Sequence, residues 1–495
     1  MAALLLFISH GLHAPPSQAA EPITPNQRLA APRDALSTDR MLADIQRLAA
    51  SDFNGRQTGT IDDLQSALWV ADRFRELGLR PVVPDPLHAG VRQPWTQSGT
   101  IRIPTLPSAV TLALLLGTAV TPLRVGPDFL PILDSPSSDL TAPAVFVGYG
   151  LSEPAQGYDD YAQVDVANRV VIFMRGKPPW HEGLVSHETK VRWAQQHGAI
   201  GYLTVMGPLV TPYEARKGVG TAPLAYYGPS TEEAEAIPGA WLTVEAVDQL
   251  LAGATEPATL AHLQDEIHRL HHPRSHALSA EVRMQWDQRW ASGTFHNVLG
   301  YLPGSDPDAH DRVIVVGAHR DHFGRQAGLL FPGADDNASG TAVMLEVARA
   351  LAALTPPRRS VLFVSFSGEE QGLLGSKLYV AQPAFPLDHT LAMVNIDHAG
   401  IGNGRLTVGV TGVDKSLAQQ AAAAAGLADH VDVFGFFPGG DHVPFKEANV
   451  PTMTVVSGGP HPHFHQPTDT IETIRPEILQ AVATYVYTIV RQLEE

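Results

Sequence analysis

The second half of the chain carries the clearest pattern. Short apolar runs, VIVVGAH (313–319), VLFVSF (361–366), LAMVNID (391–397) and PTMTVVS (451–457), are separated by stretches with helical spacing. Runs that are apolar along their whole length suit strands buried on both faces, as in a parallel sheet. The intervening stretches predict helices from Ser339 to Leu354, near Leu373 to Val380, over Ser416 to Ala425 and from Pro476 to about Leu493. Strand and helix in alternation specify an α/β domain with a mixed, mostly parallel sheet flanked by helices. Such sheets place ligand sites outside the carboxyl ends of their strands.

Two helical patterns precede this domain. Met41, Ile45 and Leu48, then Leu64, Leu68, Ala71, Phe74 and Leu77, recur at spacings of three to four, with Thr38 or Asp39 as a cap. Between them, SDFNGRQTGT reads as a loop. Residues 120–285 differ in character. VFVGYG, VVIFM and YLTVM are short β-type runs, with a helix-like segment from Lys190 to Gln196 and much Pro, Gly and Ala around them. The chain thus divides into one domain formed by 38–119 and 286–495, and a mainly β insert at 120–285. The first 20 residues, with a short apolar core and small residues around Ser17-Gln18-Ala19, fit a signal peptide lacking the usual basic start. That predicts a secreted or periplasmic protein. No later run reaches the roughly 18 uninterrupted apolar residues of a membrane span; Ala109 to Val120 is too short and contains a glycine.

Charge and composition narrow the chemistry. With 51 acidic against 34 basic residues the formal net charge is −17, which argues against nucleic acid or an anionic membrane as partner. There is no cysteine, so disulfides and thiolate metal sites are excluded. Any metal must be held by His, Asp and Glu, and the chain has 22 histidines.

Imidazoles and carboxylates collect just past the strand ends. His319 ends its strand and is followed by Arg320, Asp321 and His322; Glu369 and Glu370 follow the second run; Asp397 ends the third; His461, His463 and His465 follow the fourth. Asp335 and Asp336 sit in FPGADDNASG, opening a helix. Taken singly, His319 is an ordinary strand-end histidine and Asp335 a helix cap. Their joint placement on one sheet edge points to zinc or a similar divalent ion. Two ions need a carboxylate that bridges them, and Asp335 is the candidate, with Asn337 or Ser339 free to cap the helix and Asp336 left as a loop or cap residue.

GAHRDHFG, GADDNASG, SGEEQGLLGS, NIDHAG and HFHQPTDT, in that order, resemble the motif set of the zinc aminopeptidase family that includes glutamate carboxypeptidases and the transferrin receptor ectodomain. The insert, with FVGYGLSEPAQGYDDYAQVDVANRVVIF, resembles a protease-associated (PA) domain. The resemblance implies two Zn²⁺ ions bridged by Asp335. Glu370 and His465 would complete one ion's ligands, and His319 and Asp397 the other's. Asp321 would orient His319, and Glu369 would be the general base. The expected activity is removal of N-terminal residues from peptide substrates, with the insert as a lid or a protein-interaction module. His442, in GDHVPF, resembles a pocket residue that either contacts an oxyanion or serves structure. His322 and His398 are expected as structure near the site, and His461 and His463 on the substrate loop or surface.

Two departures stand out: Arg320 replaces a common tyrosine, and Phe464, where some members have tyrosine, cannot donate a hydrogen bond to an oxyanion. Alternative activities on this scaffold are those of a carboxypeptidase, with Arg320, Arg325 and Arg405 as candidate carboxylate binders, or of a glutaminyl cyclase. A non-catalytic binding protein like the receptor branch is disfavoured, because the motif-matched ligands and the base are all present.

Overall fold

The computed structural model describes residues 35–82, 95–183, 185–209, 222–228, 236–252, 258–309, 311–353 and 357–494. The signal-peptide segment 1–20 lies outside them. The four apolar runs become strands Val313–His319, Ser360–Phe366, Thr390–Asp397 and Thr452–Ser457. Across the sheet the order is Arg80–Pro81, Arg289–Leu302, Ser360–Phe366, Val313–His319, Thr390–Asp397, Thr452–Ser457, Leu406–Thr411, Val431–Phe434, with Thr96–Thr105 also paired to Arg289–Leu302. The four central strands are mutually parallel. Arg289–Leu302 and Leu406–Thr411 flank them antiparallel, so the sheet is mixed with a parallel centre.

Every residue of Val313–His319 and Ser360–Phe366 is buried. Alternate side chains leave opposite faces. Ile314, Val316, Val361 and Phe363 join a core with helices Thr38–Leu48, Gly340–Ala353 and Pro476–Leu493. Val313, Val315, Leu362 and Val364 face Tyr379 and Phe445, on helices Leu374–Ala381 and His442–Glu447. Two helix layers therefore exclude water from both faces, and the loops at the strand ends are left to carry chemistry. The first helix is capped by Ser37, whose hydroxyl accepts from Arg40 N at 3.3 Å, one residue earlier than Thr38.

The insert builds a second sheet, ordered Ala119–Pro122, Thr111–Leu116, His276–Trp286, Ser138–Phe146, Val170–Met174, Gly201–Val205, Gly239–Leu242, Phe129–Pro131. Its first hairpin takes in Thr111–Leu116, so this sheet begins ahead of residue 120. Beside the expected helix, here His187–Gln196, it carries Val244–Ala252 and Leu260–Leu270. No helix among the described residues is long and apolar enough to cross a membrane.

Candidate metal centre

The carboxyl ends of the parallel strands bring the expected residues together. His319 and Asp397 are the last residues of their strands. Glu369 and Glu370 lie in the turn after Phe366, and His465 in the loop after Ser457. The loop before helix Gly340–Ala353 supplies an aspartate between them, and that aspartate is Asp336. Its Oδ1 is 3.4 Å from His319 Nε2, and its Oδ2 is 3.1 Å from His465 Nε2. His319 Nε2 is also 3.4 Å from Asp397 Oδ1, and His465 Nε2 is 3.3 Å from Glu370 Oε2. The expectation that Asp335 takes this place is corrected. Asp336 has extended backbone angles (φ −107°, ψ 95°), and Asn337 after it is non-helical too (φ −131°, ψ 44°), a break in the turn that swings the Asp336 side chain to the sheet edge. Asp335 is tied away: its Oδ1 accepts from Gly400 N at 2.7 Å, and its Oδ2 lies 2.7 Å from His461 Nδ1.

These separations test the residues against a metal. Ligand atoms about 2.0–2.1 Å from a tetrahedral zinc stand about 3.4 Å apart, and the four contacts around Asp336 lie at or just below that edge length. Each oxygen of Asp336 addresses a different imidazole, as a bridging carboxylate requires. Asp397 Oδ1 is buried without a hydrogen-bond partner. Burial first, then mutual repulsion with neighbouring carboxylates, pushes Glu369 and Glu370 well above the usual carboxylate range, against the pull of His319. A pocket crowded with carboxylates in this way is electrostatically suited to divalent cations. Two other groupings of ligand-type side chains, Asp335–His398–His461 and His322–Asp336–Glu370, differ in kind. Their closest pairs, His461 Nδ1–Asp335 Oδ2 and His322 Nδ1–Glu370 Oε1, are both at 2.7 Å, which is hydrogen-bond length.

Outer contacts hold the set in place. Asp321 lies beside His319 Nδ1, with its carbonyl oxygen at 3.3 Å and its carboxylate at 3.6 Å. The same carboxylate accepts the Thr58 hydroxyl at 2.9 Å and the backbone N–H groups of Glu369 and Glu370 at 3.3 and 3.4 Å. It thus joins His319 to the turn carrying both glutamates. Glu369, half-buried, is the more open of the two.

Several positioning residues escaped the sequence reading. Asp469 accepts the N–H groups of Asp335 and Asp336 at 2.9 and 3.0 Å. Arg56, wholly buried, donates to the carbonyls of Pro332 and Gly333, just before that loop. Both sit inside quoted motifs, HFHQPTDT and SDFNGRQTGT, which were the available signal. His461, expected on the substrate loop or surface, is buried against Asp335, whereas His463 is half-buried. His442 is buried with Nε2 donating to Phe437 O at 2.7 Å. Burial lowers its pKa to about 4, so Nδ1 remains an acceptor and is not a donor for an oxyanion.

The arrangement defines a class: an α/β domain whose sheet edge holds two imidazole–carboxylate half-sites sharing one aspartate. Residues 297–490 match peptidase family M28, the family to which the five motifs pointed. The aminopeptidase YwaD of Bacillus subtilis (strain 168) is 33% identical over 198 residues, 38% of this chain and 42% of that protein. The chain therefore spans less than half the length of this relative. A solved aminopeptidase from Aneurinibacillus sp. strain AM-1 superposes with a TM-score of 0.64 at 23% identity, over 94% of this chain and 95% of that one. BSAP, a zinc aminopeptidase from Bacillus subtilis, does so with a TM-score of 0.59 at 22% identity, over 92% and 94%. The fold is thus shared across nearly the whole chain.

Proposed function

We propose that this protein is a di-zinc aminopeptidase that hydrolyses N-terminal residues from peptides. The observation that carries the reading is the split of Asp336 between His319 and His465 at 3.4 and 3.1 Å. Asp336, His319 and Asp397 would hold one ion, and Asp336, Glu370 and His465 the other. When bound, the pair supplies Lewis-acid polarisation of the scissile carbonyl and an acidified water. Glu369 takes a proton from the attacking water and returns it to the amine that leaves as the C–N bond breaks. Asp321 keeps His319 and the glutamate turn in register during that transfer.

The carboxypeptidase alternative loses its candidate cations. Arg320 is buried on Asp63 at 2.6 Å, Arg405 pairs with Asp432 at 2.6 Å, and Arg325 donates to Asn54 Oδ1 and Gly328 O. Each is engaged by partners outside the Asp336 cluster, while the carboxylates around Glu369 suit a substrate ammonium. The apolar first 20 residues support export to the periplasm or the medium, and the insert is proposed to be a PA-type module walling the site. The reading is tested with aminoacyl anilides beside peptides ending in glutamate. Cleavage of the anilides is expected, and activity confined to the C-terminal glutamate peptides would replace it with the carboxypeptidase reading.

A further inference from the structure

His465 is held by the insert. Its ring Nδ1 is buried without a hydrogen-bond partner. A metal-ligating histidine ordinarily has that nitrogen anchored by a carboxylate or carbonyl, the place Asp321 fills beside His319. Aromatic packing takes over here. Phe464 stacks on the His465 ring at 3.6 Å and 20°, and Phe323 meets it edge-on at 4.6 Å. Phe464 in turn is buried in a cluster with Met206, Leu224 and Trp241 of the insert. Phe323 belongs to the insert's own core and faces Tyr227 at 5.5 Å.

The backbone is held as well. His465 has φ 55°, the left-handed region that costs a non-glycine residue free energy. Its carbonyl accepts from Ala225 N at 2.9 Å. The segment 222–228 that provides this donor is fixed to the insert by Leu133 N–H to Tyr226 O at 2.9 Å and by Gly228 N–H to Asp134 Oδ1 at 2.5 Å.

We propose that the insert is a working part of the metal centre: through Trp241 and Leu224 it positions His465, and so sets the affinity of the Glu370–His465 half-site without touching the His319–Asp397 half-site. This rests on the functional reading, in which His465 is a ligand. Trp241 is a positioning residue, since it acts through Phe464.

The test is zinc titration of the full chain against a chromophoric chelator. Trp241→Ala is expected to weaken one of two ions by roughly 10- to 100-fold, the range for loss of an outer partner, and leave the other unchanged; Trp241→Phe restores it. In a His319→Ala background Trp241→Ala should weaken the remaining ion, and in a His465→Ala background it should have no effect. Val191→Ala, in a separate core of the insert, controls for general loosening and is expected to leave both affinities alone. Equal weakening of both ions, no weakening, or the same result from Val191→Ala overturns the proposal. A wild-type chain that binds no zinc overturns the parent reading and this one with it, a result distinct from any variant effect.

Discussion

Asp335 and Asp336 are neighbours in the chain, yet the shortest imidazole contacts of their carboxylates are to different histidines, with only His398, among the described residues, reaching both, at 3.4 and 3.8 Å. Asp336 lies between His319 and His465, and Asp335 lies on His461 at 2.7 Å. Gly400 N, Ser339 Oγ and His398 Nδ1 also contact the Asp335 carboxylate, while Asp469 holds the amides of both aspartates. The loop therefore divides its two charges between the His319–His465 cluster, where the proposed ions would sit, and its own anchoring.

The two aspartates should respond differently to substitution. Asp336→Ala removes the ligand proposed to be shared by both half-sites, so zinc affinity and activity should fall by more than the roughly 10- to 100-fold typical of an outer partner. Asp335→Asn should stay within that range. Zinc stoichiometry after dialysis against a chelator, read beside kcat, decides it; equal losses in the two variants would contradict the division of labour.

How far the sequence carries depends on how local each determinant is. Val313–His319 was legible to the residue because a run buried on both faces needs no partner to be recognised. Leu406–Thr411 and Thr96–Thr105 went unread: the second alternates with exposed polar residues, and the first contains Gly409, into whose space Phe437 packs. The choice between Asp335 and Asp336 was illegible for a different reason. Both are the same residue type in one loop, and only the extended angles at Asp336 separate them. The links from His461 to Asp335 and from Ala225 to His465 span 126 and 240 residues, and nothing local announces such pairings.

Glu369 is half-buried and Glu370 buried, and the Asp321 carboxylate fixes the backbone of both. Glu369→Gln keeps shape and removes the base. Its kcat should fall roughly 10²- to 10⁴-fold, with two zinc ions still bound. Near-normal kcat at full metal occupancy would assign the proton transfer to another group.

The Arg320–Asp63 pair is wholly buried at 2.6 Å, with Ser66, Ser365 and Phe366 accepting from three more of the guanidinium N–H groups. Removing one partner of such a pair costs about 3–5 kcal/mol. Asp63→Ala strands a guanidinium that cannot neutralise. Arg320→Met strands a carboxyl whose pKa burial already lifts to about 6, so it can take up a proton. At pH 5, urea denaturation should show the larger loss for Asp63→Ala, and the gap should narrow at pH 8, where the carboxyl in Arg320→Met is charged more of the time.

Asp134 gives the insert a pH dependence of the less common sign. Burial, opposed by the Gly228 N–H, raises its pKa from 3.8 to about 6. Between those values the folded state holds a proton that the unfolded chain has released. The contribution of Asp134 to stability therefore falls as pH rises from about 4 to 6, and is level above that. Two pKa units correspond to about 3 kcal/mol, an upper figure for one group. Asp134→Asn retains an acceptor for Gly228 and cannot ionise. The variant should lose this descending limb and gain on the wild type at pH 7. Urea midpoints across pH 4 to 8 for both proteins measure it, and parallel curves would show that Asp134 titrates as it does in the unfolded chain.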